Sequence, residues 1–319
     1  MNIKKSLKRI LNKENNKIAL EQYYSRYVRH SFQIRNCKNE KQYEACITRL
    51  YHTIEKGLAY LDFRPGFGKE NLELLLSCME SYAKGYDLEK EFYQTALNVL
   101  MEYIKKNHKY NYVDKELEER INALPGKPNS LGGVITFLPL SEEELSNADY
   151  KEFFESRHSM RHFSTEGVEL EKIYKALHLA QLTPSACNRQ GWKTYIISDK
   201  ELLKNVLSNQ NGNRGFGQEI DKLLLVTADL RCFNYDRELF QAYIDGGMYA
   251  MSVINGLHYE HIATIPLSAS LSQQQENNIR ALMNLDDAEV LILFIGVGNY
   301  PNECQTTKSD RHDPVITVL

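Results

Sequence analysis

The chain has 319 residues, with 39 Lys+Arg against 42 Asp+Glu for a net charge of −3, 25% charged residues and 42% hydrophobic ones. This length points to two domains with ample buried core, the near-neutral balance argues against a nucleic-acid binder, and no apolar run approaches the roughly 20 residues of a membrane span. Cys37, Cys46, Cys78, Cys187, Cys232 and Cys304 are scattered without a CxxC or a short Cys/His pairing, which excludes a disulfide framework or zinc ribbon. With no secretory h-region at the start, a soluble cytoplasmic protein without a metal site is expected.

Residues 1–13, MNIKKSLKRILNK, carry five basic residues and no acid, and Ile3, Leu7, Ile10 and Leu11 would share one helix face. Such a segment reads as a solvated leader or as a contact to a membrane surface or partner. From there to Tyr150 the pattern is helical. Ile47, Leu50, Tyr51, Ile54 and Leu58 recur at spacings of three and four, as do Leu72, Leu75, Leu76, Met79, Tyr82 and Ala83. A third helix over Leu88–Lys106 would turn Phe92, Ala96, Val99, Leu100 and Tyr103 inward. Twelve of the 20 tyrosines precede residue 149, many at core spacing, where packing with a polar tip explains them. Pro, Gly and Ser concentrate in 123–140, the best linker in the chain. An all-helical N-terminal domain over 1–148 and a second domain over 149–319 follow.

Beyond Tyr150, helices are expected at Glu169–Gln181, Lys200–Ser208, Arg237–His261 and Ser272–Asn284. Strands are expected at Lys193–Ile197, Lys222–Thr227, Ala263–Leu267 and Glu289–Val297. The second half therefore reads as α+β, a sheet covered by helices. Three glycine-rich pieces are not nucleotide loops. RPGFGKEN (64–71) lacks Walker spacing and has Glu70 where Ser or Thr should stand; GNRGFG (212–217) precedes a strand; GVGNYP (296–301) meets Pro301 where a helix should open.

The informative blocks are SRHSMRHF (156–163) and TPSACNRQGW (183–192). Arg157 and Arg161 with Ser159 are suitable donors for a phosphate and a second electron-rich group. Asn188 and Gln190 offer amides to a heterocycle edge. Taken singly, each block also suits a charged helix start or an ordinary helix–strand loop. Together, Arg157-His158-Ser159-Met160-Arg161 followed one helix later by Pro184-Ser185-Ala186-Cys187-Asn188-Arg189-Gln190-Gly191-Trp192 resemble the FMN-dependent nitroreductase family, from about Tyr150 to the C-terminus.

The resemblance implies a nitroreductase-like, helix-covered and mainly antiparallel sheet. It also implies an FMN-dependent oxidoreductase that passes hydride from NAD(P)H through flavin N5 to a small-molecule acceptor, and a homodimer with its flavins at the interface. Arg157 and Ser159, beside His158, would bind the FMN phosphate, with Lys308 and Arg311 closing round it. Arg161 would approach the N1/O2 edge. Pro184, Ser185, Ala186, Asn188 and Gln190 would line the ring and ribityl region, with Asn213 as a further ring-edge candidate. Pro266, Leu267 and Ser268 would run beside N5. Gly191 replaces the family's proline, Ser268 stands where some members carry an acid, and Lys308 and Arg311 are one residue too far apart. The helical excursion before the long helix is cut to Phe233–Arg237, so the substrate pocket must come from elsewhere.

His52, Glu55 and Lys56, at helical spacings and followed by Arg64, are expected to supply that pocket, with Gly57 as the helix C-cap; a solvated charge pair is the competing reading. The long apolar helix with Ile244, Met248, Met251 and Ile254 reads as an interface or as a core element. Two other functions stay open: a flavin dehydrogenase of a sugar or peptide intermediate (or a reductive removal of a substituent), and a non-catalytic scaffold with a degenerate flavin site.

Overall fold

A computed structural model describes residues 17, 18, 20, 21, 24, 34, 36–233 and 238–319; the expectations for residues 1–13 and for Asn234–Arg237 lie outside the described residues. The described chain divides into two compact units, one chiefly 137–304, the other 24–136 together with 305–319. The boundary thus departs from the expected one at 148/149: residues 137–148 go with the sheet, and the last fifteen residues go with the helices. No helix among the described residues is long and apolar enough to cross a membrane.

In the helical unit, α1 (Glu40–Leu58) starts at Asn39, whose side chain accepts from the Gln42 amide, with Glu40 in the first turn and Lys56 in the last. α2 (Lys69–Tyr82) opens after Gly68 at φ 72°, α3 spans Glu91–Lys109, and α4 (Lys115–Asn122) is capped by the Asp114 carboxylate. The stripes read from periodicity are the core: Ile47, Leu50, Ile54, Leu58, Leu72, Leu75, Leu76, Met79, Ala96, Val99 and Leu100 are all buried. Tyr82 shows the tyrosine logic in full. Its ring stacks on Tyr86 and Tyr93, while its hydroxyl donates to the Asp87 carbonyl (2.8 Å) and to Glu40 (3.0 Å). Gly57 does not cap α1, because Ala59 does. A Cβ on Gly57 would lie 1.9 Å from the Phe67 ring, so the glycine exists to let that ring in.

The expected linker is instead a strap fixed across α3. Tyr93 Oη donates to the Pro125 carbonyl, Asn98 to the Leu131 carbonyl and Asn129 to Thr95 Oγ1. Pairing its backbone groups with these side chains removes the freedom its Pro/Gly content suggested. The strap ends in Gly132 and Gly133, both at positive φ. Their successive N–H groups are taken by two carboxylates, Asp310 Oδ2 (2.6 Å) and Glu55 Oε1 (2.8 Å). The strands β1 (Val134–Phe137) and β6 (Cys304–Thr307) pair in a two-stranded sheet, residues 134–136 and 305–307 of which fall in this unit.

In the other unit, two short capped helices, α5 (Glu142–Asn147) and α6 (Tyr150–Ser156), precede α7 (Leu170–Ala180). Then come β2 (Trp192–Ile197), α8 (Lys200–Ser208), β3 (Lys222–Asp229), α9 (Gln241–Tyr259), β4 (Ile262–Ser268), α10 (Gln273–Met283) and β5 (Glu289–Asn299). The four strands form an antiparallel sheet in the order β2-β3-β5-β4, with Thr194 opposite Val226 and Thr264 opposite Val297. Leu223, Leu224, Leu225 and Val226 of β3 are fully buried, which is why this strand is an unbroken apolar run. α9 packs on the sheet and on α7. Ser272 caps α10 with Gln275 in a capping box, and Asn284 closes it in the left-handed region, as the sequence predicts.

The α7–α9 approach is close because Gly256 has no side chain: a Cβ there would sit 2.6 Å from the Ala176 carbonyl oxygen. Backbone cannot rotate away as a side chain can. Gly256→Ala is expected to destabilise the protein by about 1–3 kcal/mol, read as a lower urea midpoint at unchanged slope.

Candidate functional site

After α6 ends at Ser156 the chain turns extended and lies beside β4. Ser159 forms a parallel bridge with Thr264, and Met160 N donates to the Thr264 carbonyl at 2.8 Å. The bridge holds Ser159 and Met160 against β4, with Arg157 two residues before Ser159 and Arg161 two after it. Arg161 is buried at 8% exposure, and Met160 is fully buried. Beyond the segment, Glu219 accepts from His162 Nδ1 and from the Phe163 amide, both at 3.3 Å. The bridge to Thr264 also puts the segment on the strand that carries Pro266, Leu267 and Ser268. Gln210 Nε2 holds the Ser268 carbonyl at 3.0 Å.

The entry to the segment is fixed from α9. Ser156 Oγ meets His258 Nε2 at 2.9 Å, and His258 Nδ1 meets the Tyr300 hydroxyl at 3.2 Å. His258 is 3% exposed. Burial, and then the nearby positive charge of Arg157, push its pKa down to about 4, so the imidazole is neutral and bridges two hydroxyls. Burial likewise raises Tyr300 well above the ordinary phenol range.

The second block is a tight loop after α7. Cys187, Asn188 and Gln190 all have φ near +50°, a concentration of left-handed non-glycine residues that costs backbone energy. Side chains hold it. Ser185 Oγ accepts from the Gln190 amide (2.9 Å), and Gln190 Nε2 donates to Asn188 Oδ1 (3.1 Å). Gln181 Nε2 donates to Gln190 Oε1, and Gln181 Oε1 accepts from Trp192 Nε1. The Ala186 amide donates to Asp245 Oδ2 (3.0 Å), on α9. Pro184 and Asn188 are exposed. The two blocks are therefore anchored on the same helix thirteen residues apart, Asp245 against His258, which is roughly 20 Å along its axis.

The remaining expected residues have other employment. Asn213 Nδ2 donates to the Leu207 and Gln210 carbonyls (2.8 and 2.7 Å), so its amide donors organise its own loop. Lys308 and Arg311 belong to the helical unit, where Lys308 Nζ donates to the Ser130 carbonyl (3.1 Å) and Arg311 to the Ser309 carbonyl. His52 Nδ1 and Glu55 Oε2 do converge, at 2.9 Å, but Glu55 is fully buried and its other oxygen takes the Gly133 amide. That geometry makes Glu55 a clamp on the strap rather than a contact for substrate. Lys56 is half-buried; Arg64 is exposed in the following loop and forms no ion pair among the described residues.

Sequence reading missed Asp245, His258 and Gln181 as anchors. Asp245, a lone carboxylate in an apolar helix, was the available signal. His258 carries no local signal, since its hydroxyl partners come from 42 and 102 residues away.

Residues 154–210 match the Nitroreductase family model. Over 151 residues the chain is 24% identical to the Putative NADH dehydrogenase/NAD(P)H nitroreductase of Archaeoglobus fulgidus, covering 46% of this chain and 83% of that one. It is 34% identical over 62 residues to the Iodotyrosine deiodinase of Haliscomenobacter hydrossis, covering 19% of this chain and 28% of the deiodinase. Among solved structures, it is similar to a putative NADH dehydrogenase/NAD(P)H nitroreductase from Parabacteroides distasonis, with 19% identity, 46% and 84% coverage and a TM-score of 0.42. These matches support a nitroreductase-family C-terminal half, the part of the chain that holds both motif blocks.

The depressed His258 pKa has a pH signature. Unfolded, the imidazole takes a proton near pH 6.5; folded, only near pH 4. Between those values the unfolded chain binds more protons, so stability is full above about pH 6.5 and falls as pH drops towards 4, by about 3 kcal/mol at most. Urea midpoints measured from pH 7 to 4 are expected to fall less steeply in His258→Asn than in wild type.

Proposed function

We propose that the C-terminal half binds FMN and that the protein is an FMN-dependent oxidoreductase, taking hydride from NAD(P)H and passing it to a small-molecule acceptor. The observation that carries this reading is the segment of Arg157, Ser159 and Arg161 held to β4 through the Ser159–Thr264 bridge, with Arg161 buried. The donor set suits the cofactor: a guanidinium fork and a hydroxyl for a phosphate dianion, and a buried permanent cation for the electron-rich edge of the ring. Bound FMN would supply the two-electron chemistry that no side chain offers. The chain's own residues then bind and tune. Arg157 and Ser159 hold the phosphate, and Arg161 favours negative charge on the ring edge, strengthened by its burial. Gln210 fixes the Ser268 carbonyl and with it the end of β4 beside the ring. The loop of Pro184, Ser185, Ala186, Asn188 and Gln190 caps the flavin. The name of the Archaeoglobus relative fits the nicotinamide donor.

A homodimer completes the site in this reading. Tyr243, Ile244, Met248 and Met251 are exposed apolar residues on α9, and Leu179 and Leu182 at the end of α7 are exposed as well, the kind of surface a partner covers. Because the two motif blocks are anchored at opposite ends of α9, the loop of one copy meets the arginine segment of the other across this surface.

FMN titration of stripped protein is expected to show tight binding, weakened roughly 10- to 100-fold by Arg157→Ala, the worth of a charge-assisted contact. Folded protein that binds no FMN at micromolar concentration would instead support the scaffold. Arg161→Ala and Asn188→Ala, each defective alone, are expected to regain about a quarter of wild-type NADH oxidation when co-expressed, since a mixed dimer carries one intact shared site. No recovery, with mixed dimers demonstrated, would place the whole site in one copy.

A further inference from the structure

Three of the six cysteines meet inside the helical unit. Cys37 lies just ahead of α1, Cys46 on its buried face and Cys78 on the buried face of α2, and all three Sγ atoms lie within 4.8 Å of one another. Cys46 is fully buried, Cys78 nearly so, and Cys37 half-buried. Separations of nine and 32 residues conceal the group in the sequence, where ligand pairs are sought at spacings of two to four.

Three sulfurs this close, drawn from two helices and the turn before the first, form a convergent set of ligand atoms. Cys37 Sγ donates to the Gln42 carbonyl at 3.6 Å and Cys46 Sγ to the Ile34 carbonyl at 3.7 Å, protons that a bound cation can displace. The ligand-bearing backbone is held in place: Lys38 N donates to Gln42 Oε1 (2.7 Å), and Asn39 caps α1. A cavity of about 570 Å³, lined by Cys37 and Cys78 with Asn36, Glu70, Glu73 and Ser77, reaches the sulfurs from outside.

We propose that Cys37, Cys46 and Cys78 bind one thiophilic divalent cation of the zinc type as three thiolates, with its fourth position open to the cavity. Tetrahedral thiolates at Zn–S about 2.3 Å stand roughly 3.8 Å apart, so rotations that close the sulfurs by less than about 1 Å complete the geometry. The charge balance favours a divalent ion. Three thiolates with M²⁺ leave a single negative charge in a mostly buried site, whereas a monovalent ion leaves two. Binding releases the thiol protons to solvent. The open position takes water or an incoming thiolate, which makes this a site for exchange with small ligands. It sits in the helical unit and does not depend on the flavin reading.

The test is titration of the reduced, chelator-stripped full-length protein with Co²⁺ under anaerobic conditions, followed by thiolate-to-cobalt charge-transfer absorption and Zn²⁺ competition. One ion per chain is expected, displaced by Zn²⁺. Cys37→Ser and Cys78→Ser should weaken binding beyond the roughly 10- to 100-fold that loss of an outer-shell partner costs, while Cys304→Ser leaves it unchanged. Cys37→Ser is the decisive variant, because a half-buried loop position keeps the fold, checked by circular dichroism. Absence of charge-transfer bands with all three thiols reduced, binding unchanged in folded Cys37→Ser, capture of Cu⁺ but neither divalent ion, or a disulfide within the trio in the isolated protein would each overturn the assignment.

Discussion

The sheet unit depends on the seating of one helix. α9 lies flat enough on the sheet that Gly246 has no room for a Cβ beside Ile292, and Gly256 none beside the Ala176 backbone. That contact buries most of an apolar helix, and it fixes where two polar exceptions emerge. Asp245 takes the amide of the loop after α7, and His258 takes the hydroxyl at the end of α6. Neither motif block holds its shape unaided. The first depends on a single parallel bridge to β4, and the second holds three left-handed residues with a ring of side-chain hydrogen bonds. A buried helix that is rigid at both ends gives each block a fixed point, which is what preorganised donors require.

Much of this was legible in the sequence, because the signals were periodic. Stripes at three and four residues located α1, α2 and α3 with their core faces, and β-branched runs located all four strands of the larger sheet. Ser272 and Asn284 bounded α10 through local chemistry alone. Where the reading departed from the structure, the deciding partner was distant. The Pro/Gly segment 123–140 looks like a linker until Asn98, Asn129 and Tyr93 are seen to hold its first part. Glu55 looks like a substrate contact until the Gly133 amide, 78 residues away, is seen to occupy it. Gly57 looks like a cap until the Phe67 ring is placed against it. Local pattern reveals what an element is; it says little about what crosses it.

The candidate site divides in the same way. Arg157, Ser159 and Arg161 are legible as one group of donors because they fall within one five-residue block. Asn213 is a ring-edge candidate by its loop position, and its Nδ2 holds two carbonyls of that loop. Lys308 and Arg311 follow from order along the chain, and they fall in the helical unit.

That return makes the helical unit discontinuous, with the sheet unit spliced into it between residues 136 and 305. Gly132 finds its acceptor in Asp310, and the Gly133 carbonyl receives the Lys308 amide, 175 residues downstream. During synthesis the helices leave the ribosome first but cannot close their strap until the whole sheet unit has been made. Loop closure over such a span is slow compared with local helix formation. The strap between the first-made helices is therefore completed last, by residues at the far end of the chain.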